Sequence, residues 1–133
     1  MKTVLLDTSF IIAFNIISDS QHDKSRELKE VLLNEDCYIT NNVLNECVTV
    51  GFNKSKSLEV ANNIYYTLID NFTVINEYEI SNFNTKTLRI FNKHGGKLSF
   101  VDASLIVVMN EFNLNYLLSF DKQFTKEDSI NLL

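Results

Sequence analysis

Short apolar runs alternate with longer segments of helical periodicity along most of the chain. Four runs have the length of buried strands, at residues 4–6, 37–40, 72–75 and 116–119. Between them, apolar residues recur at spacings of three and four, which predicts helices over residues 10–17, 22–34, 41–51, 55–70, 77–92 and 100–112. Residues 130–133 form a candidate fifth strand. Strands that alternate with helices predict an α/β protein with a mostly parallel sheet and helices on both faces.

Length and composition narrow the class of protein. With 133 residues, 45% of them hydrophobic, the chain suits one core, and we expect a single domain over residues 1–133. The net charge of −5 argues against unspecific nucleic-acid binding by charge alone. Cys37 and Cys47 match no zinc or redox spacing, which predicts buried thiols in a reduced compartment. Asp7 interrupts the apolar N-terminus and no small-residue cleavage site follows, so we predict a cytoplasmic protein without a signal peptide or membrane span.

Acidic residues mark the ends of the predicted strands. Asp7 ends the first strand, where ligands bind in open α/β sheets, and hydroxyl residues suited to starting a helix follow it. Glu46 lies in the helix after the second strand. Asp102 lies in the first turn of the helix before the fourth strand, and Asp121 comes just after that strand. Because parallel strands end at one edge of the sheet, Asp7 and Asp121 meet there if their strands are neighbours. Asp102 and Glu46 join them only if their helices cross over that edge, so the four acids are candidates for one site.

Each acid also has a purely structural explanation. Asp7 suits a helix cap, Asp102 a capping box with Ser99, Asp121 a turn, and Glu46 a solvated helix face. If the four converge, their repulsion raises their pKa values unless a cation intervenes. Mg²⁺ prefers oxygen ligands and commonly binds one or two carboxylates plus a substrate phosphate. Convergence therefore predicts metal-dependent hydrolysis of a phosphodiester.

A basic strip precedes the third acid. No acidic residue occurs between Ile80 and Val101, and four basic residues lie there: Lys86, Arg89, Lys93 and Lys97. The first three are spaced by three and four, so they share one helical face. This predicts a phosphate-contacting strip beside the acidic pocket, and a solvated helix face is the alternative. Lys54 and Lys56 form a second candidate pair.

At the acidic residues the chain resembles a known family. The segments VLLDTSFIIAF, NNVLNECV, LSFVDASLIVV and LLSFDKQF are similar, in order and spacing, to the four signature blocks of PIN-domain nucleases. The length is that of the VapC-like toxins of bacterial and archaeal toxin–antitoxin pairs. The resemblance implies a three-layer α/β/α sandwich with a four- or five-stranded, mostly parallel sheet in the order 3-2-1-4-5. It also implies an endoribonuclease that uses Mg²⁺ or Mn²⁺, cuts RNA, binds a small antitoxin and forms a homodimer.

The same resemblance assigns roles to individual residues. Four acids are expected to bind the metal and support catalysis: Asp7, Glu46, Asp102 and Asp121. Asp7 and Asp102 are expected to be direct ligands, whereas Asp121 acts through water or orients a ligand. Three hydroxyl residues are expected to contact these acids or the substrate: Thr8, Ser9 and Ser119.

Other functions stay open on the sequence alone. A PIN nuclease of RNA processing or quality control, without an antitoxin, has the same residues, and a small co-transcribed reading frame upstream would favour the toxin. A phosphoacceptor signalling domain needs an acidic pair near the first strand, and Asp7 has no acidic neighbour. A haloacid-dehalogenase-type phosphatase needs Asp-x-Asp, whereas Asp7 is followed by Thr8 and Ser9. A non-catalytic binding module is the last alternative.

Overall fold

The computed structural model of the protein describes residues 1–127 and 129–133. Its sheet has four strands in the described residues: β1 (Thr3–Leu6), β2 (Asp36–Thr40), β3 (Thr73–Ile75) and β4 (Tyr116–Leu118). The strand order is β3-β2-β1-β4, and all three pairings are parallel. This confirms the predicted α/β fold and the order of the first four strands.

The predicted fifth strand is reduced to one bridge. Leu132 pairs in parallel with Leu117 of β4. Leu117 N donates to Asn131 O at 2.8 Å, and Leu133 N donates to Leu117 O at 2.9 Å. These bonds add no further pairing to the edge of β4, so the sheet formed by the described residues has four strands.

Helices connect successive strands. The described residues contain α1 (Thr8–Asn15), α2 (His22–Glu27), α3 (Lys29–Asn34), α4 (Asn41–Ser55), α5 (Leu58–Asn71), α6 (Phe83–Lys93) and α7 (Phe100–Phe112). Right-handed crossovers place α1–α5 on one face of the sheet, and α6 and α7 on the other. Accordingly, α4 packs on α1 and α5, while α6 packs on α7. The result is the predicted three-layer α/β/α sandwich. None of the described helices has the length and apolarity that a membrane crossing requires.

Two predicted helices have different bounds in the structure. The helix predicted over residues 22–34 is divided at Leu28, where ψ is 11°. The buried Ser25 hydroxyl donates to His22 O at 2.6 Å, and such local bonds compete with helix continuation. The helix predicted over residues 77–92 begins only at Phe83, because Asn82 adopts a left-handed conformation with φ 56°.

The most buried elements are β1 and α7. Val4, Leu5 and Leu6 have no exposed surface, and α7 is buried continuously over residues 103–109. Asp7 directly follows this strand, and Asp102 directly precedes the buried part of this helix. The rigid core of the sandwich therefore holds the backbone of both acids.

The start of α4 is held by a carboxylate from a distant part of the chain. Glu77 is fully buried, and its two oxygens accept from Asn41 N and Asn42 N, each at 3.1 Å. Those amides are among the helix N–H groups that lack an intrahelical partner. Thr40 adds a local cap by accepting from Val43 N at 3.2 Å. Glu77 thus connects the end of β3 to the helix that carries Glu46.

We predict that Glu77→Ala lowers the free energy of unfolding by about 2–4 kcal/mol, since two half-buried backbone amides at the start of α4 lose their carboxylate acceptor. Glu77→Gln keeps one acceptor oxygen and should lose less. Urea denaturation measures both changes, with Glu79→Gln as the matched control, because Glu79 is exposed in the same turn. A loss for Glu77→Ala no larger than that of the control would contradict the role of this cap.

Candidate active site

Asp7 lies at the centre of a hydrogen-bonded network. Its Oδ1 accepts from Thr8 N at 2.7 Å, and its Oδ2 accepts from both Ser119 Oγ at 2.6 Å and Ser9 Oγ at 3.0 Å. The residue is only 3% exposed. Burial raises the pKa of Asp7 above its ordinary value, the bonds from Ser119, Ser9 and Thr8 lower it, and the charge of Glu46 raises it. Asp7 is therefore a helix cap that also carries a buried and electrostatically unfavourable charge.

The two serine hydroxyls join the ends of β1 and β4. Their Oγ atoms are 3.3 Å apart, and each also accepts a backbone N–H from the loop after β4. Ser9 Oγ accepts from Phe120 N, and Ser119 Oγ accepts from Asp121 N, both at 3.0 Å. The same two atoms thus orient the Asp7 carboxylate and hold the segment that carries Asp121.

Asp102 and Asp121 form a pair of adjacent carboxyl groups. Ser99 caps α7 by accepting from Asp102 N at 3.0 Å, and Asp121 Oδ1 accepts from Gln123 N at 2.9 Å. Burial raises the pKa of Asp102 to about 7, together with the charge of Asp7 and the hydrogen bond and charge of Asp121, while the Ser99 hydroxyl lowers it. Asp102 thus lies in the first turn of α7, where Ser99 caps the helix, and is also a member of the acidic cluster.

Glu46 completes the group from the side of α4. It lies on the exposed side of that helix, and its charge acts on Asp7. Each of the four predicted acids is therefore within electrostatic reach of at least one other. None of the ion pairs between described residues involves any of these four acids.

The donor chemistry of the acidic cluster fits a hard divalent cation. All four side chains offer carboxylate oxygens, and their uncompensated charge favours an ion such as Mg²⁺ or Mn²⁺ over a soft metal. Within residues 1–127 and 129–133, no three His, Cys, Asp or Glu side chains already have the spacing of a metal cage. A bound ion would therefore draw the carboxylates together, or complete its shell with water.

Comparisons with known proteins show the family and the fold of this chain. A family model described as PIN domain matches residues 4–128. The chain belongs to the PIN domain family. The structure is similar to that of VapC20 from Mycobacterium tuberculosis, a Sarcin-Ricin loop cleaving toxin, with a TM-score of 0.78, 21% identity and 92% of each chain covered. No curated protein matches the sequence.

Two further solved structures have the same fold. VapBC2 from Rickettsia felis, bound to a DNA fragment from its promoter, has a TM-score of 0.73 and 15% identity, covering 98% of this chain and 97% of that one. FitAcB from Neisseria gonorrhoeae has a TM-score of 0.66 and 14% identity, covering 98% and 96%. At sequence identities this low, the structural similarity shows that these proteins share the PIN fold with this chain.

Two of the four members of the basic strip of this PIN domain lie in structural ion pairs. Lys86 Nζ lies 2.5 Å from a carboxylate oxygen of Glu111, and Lys93 Nζ lies 2.7 Å from one of Glu127. Glu111 comes nine residues after Asp102 in α7, so Lys86 lies about 13 Å along the helix from the acidic cluster. The two remaining members are exposed: Arg89 on α6, and Lys97 shortly before the α7 cap.

A groove beside the acidic cluster is the feature that the sequence analysis missed. Its volume is about 310 Å³, and it is lined by Thr8, Ser9 and Ile12 of α1, the loop of residues 19–21, Val50 and Lys54 of α4, and Phe120. The Thr8 hydroxyl is buried beside the groove, next to the Cys47 thiol. The sequence contains one signal for this groove. Glu46, Val50 and Lys54 follow one another at a spacing of four, which places them on one stripe of α4.

We predict that Asp102→Asn stabilises the metal-free PIN domain at pH 8 by about 1–2 kcal/mol, allowing for the solvent that reaches this half-buried side chain. The raised pKa means that the native state holds this proton more tightly than the unfolded chain. The favourable contribution of protonated Asp102 to the free energy of unfolding is therefore fully present below about pH 4, and it is lost as the pH rises through about 7. Thermal unfolding with chelator from pH 4 to 8 should show the difference growing with pH. A difference independent of pH would contradict the assignment.

We predict that Ser119→Ala destabilises the PIN domain by about 1–3 kcal/mol and weakens Mn²⁺ binding, because Asp7 loses a donor and Asp121 N loses its acceptor. Ser119→Thr should restore both properties. Denaturation and electron paramagnetic resonance of Mn²⁺ measure them, with the exposed Ser81→Ala as control. If Ser119→Ala lowers stability but leaves the Mn²⁺ affinity unchanged, Ser119 has a structural role only.

Proposed function

We propose that this chain is a metal-dependent endoribonuclease that hydrolyses RNA phosphodiester bonds, and that it is the toxin of a toxin–antitoxin pair. The observation that carries the proposal is the cluster of Asp7, Glu46, Asp102 and Asp121 at the carboxyl end of the sheet, without an ion-pairing cation among the described residues. PIN domains are generally nucleases, and this cluster has the donor chemistry that such hydrolysis requires.

In this proposal the four acids divide into direct and supporting roles. Asp7 and Asp102 hold the ion, because Asp7 is buried, Asp102 is half-buried, and the charge of Asp7 acts on Asp102. Glu46 and Asp121 complete the shell directly or through water. When bound, Mg²⁺ or Mn²⁺ supplies positive charge, activates the attacking water and neutralises charge on the phosphate. Ser9 and Ser119 hold Asp7 in place, so that its carboxylate needs no reorganisation when the substrate arrives.

The biological role is proposed from the similar structures. VapC20 is described as a toxin that cleaves the Sarcin-Ricin loop, and another similar structure is a toxin–antitoxin complex from Klebsiella pneumoniae. We therefore propose RNA as substrate, a small antitoxin as protein partner, a homodimer and a cytoplasmic location. We also propose that residues 1–133 form a single PIN domain, of which the family model matches residues 4–128.

We predict that the protein cleaves RNA with Mg²⁺ or Mn²⁺, and that Asp7→Asn or Asp102→Asn lowers the rate at least about 100-fold, since each removes a ligand. Gel electrophoresis of structured RNA after incubation measures cleavage, with chelator as the metal-free arm. Asp70→Asn is the matched control, because Asp70 lies exposed near the end of α5.

Cleavage that survives both chelator and the two substitutions would overturn the metal site. For the toxin role, induced expression in a bacterial host should arrest growth for the wild type but not for Asp7→Asn. Cleavage in vitro without growth arrest would favour an RNA-processing nuclease over a toxin.

A further inference from the structure

We propose that the groove beside the acidic cluster receives the RNA strand next to the bond that is cut, and that Lys54 and Lys24 contact its phosphates. This inference rests on the proposed ribonuclease function and adds the path of the substrate. The inference leaves phosphate contacts by the basic strip possible. It assigns the principal phosphate contacts to Lys24 of α2 and Lys54 of α4, which lie on the face of the sheet opposite α6.

The first argument is continuity between the groove and the acidic cluster. Thr8 and Ser9 line the groove, and both also bond to Asp7, through Thr8 N and Ser9 Oγ. Phe120 lines it as well, and its backbone N–H donates to Ser9 Oγ. A strand whose phosphate lies at Asp7 therefore has this groove as an adjoining open path.

The second argument is the position of the lysines. Lys54 lines the groove, and its side chain is 48% exposed. Its Nζ forms a long ion pair with Asp19 Oδ2 at 3.9 Å, which is beyond hydrogen-bond distance, so this carboxylate does not occupy its N–H donors. By contrast, Lys86 lies 2.5 Å from its carboxylate partner in the basic strip. From α2, Lys24 Nζ lies over the ring of Phe120, 5.8 Å from its centroid.

The third argument is the kind of ligand that this surface suits. Single-stranded nucleic acid is held by cations that follow its backbone and by aromatic walls beside its bases. The groove has a cation in Lys54 and an aromatic wall in Phe120, and Lys24, which is not one of its lining residues, lies over the Phe120 ring. Because the whole chain carries a net charge of −5, attraction of a phosphate backbone has to come from such local positive positions.

The test measures the affinity of the full chain for a fluorescent single-stranded oligoribonucleotide of random sequence. Anisotropy is recorded with chelator, so that no cleavage occurs, over a series of salt concentrations. Lys54→Gln should weaken binding at least about threefold at low salt and reduce the slope of log affinity against log salt by about 0.7. The double variant Lys24→Gln/Lys54→Gln should reduce it by about twice that amount. Lys56→Gln is the matched control, since Lys56 does not line the groove.

Asp19→Asn provides a test of opposite sign. The substitution removes the negative charge nearest to Lys54 but keeps Oδ1, which accepts from Gln21 N at 2.8 Å. RNA affinity should therefore rise. Damage to the fold would weaken binding in both the Asp19 and the Lys54 variants, so opposite changes support a direct electrostatic role.

Unchanged affinity and salt slope for the double variant would overturn the inference, and would fit a groove that binds a protein segment instead. A loss equal to that of Lys56→Gln would overturn it too, as would a larger loss for Lys86→Gln. Hydrolysis of bis(p-nitrophenyl) phosphate by the wild type with Mn²⁺ reports on the acidic cluster separately. If that ester is hydrolysed while the double variant binds RNA normally, the proposed function stands and the groove assignment fails.

Discussion

Repulsion between carboxylates at the end of β1 is the constraint around which this PIN domain is built. Asp7 and Asp102 are held close enough for each charge to act on the other, and burial raises the pKa of both. The core limits how far they can move apart, because Asp7 follows the buried residues 4–6 of β1 and Asp102 precedes the buried residues 103–109 of α7. Such unfavourable charge is typical of a site that is selected for a ligand rather than for stability.

Two other buried acids, Glu77 and Glu127, have carboxylates whose charge is stabilised by neighbouring groups. Glu77 accepts two backbone amides at the start of α4. Burial alone would raise the pKa of Glu127, but Lys93 and His94 hold it below its ordinary value. Both of these acids have partners that stabilise their charge. Asp102 has mainly other acids as neighbours, and this contrast separates the candidate active site from the acids that support the fold.

Several features were beyond prediction because they depend on residues that are distant in the sequence. The run from Glu77 has the composition of a helix start, but Glu77 bonds to amides 35 and 36 residues away, and the α6 helix begins six residues later. Residues 130–133 have the apolar composition of a strand, yet only Leu132 forms a bridge to β4. Lys86 and Lys93 have helical spacing that fits a phosphate strip, but their carboxylate partners come from α7 and from the segment after β4.

Local pattern was sufficient for the strands, for most helices, for the position of Asp7, Asp102 and Asp121 at strand ends or a helix start, and for that of Glu46 within a helix. That information is local, since the spacing of apolar residues and the caps beside them involve neighbours in the chain. Only the tertiary structure decided that Ser119 donates to Asp7 across 112 residues, that Asp121 meets Asp102, and that a groove with Lys54 opens beside them. These contacts depend on the strand order, because β4 lies beside β1. This neighbourhood brings together residues from the two ends of the chain, and the local sequence at one end does not indicate its partner at the other.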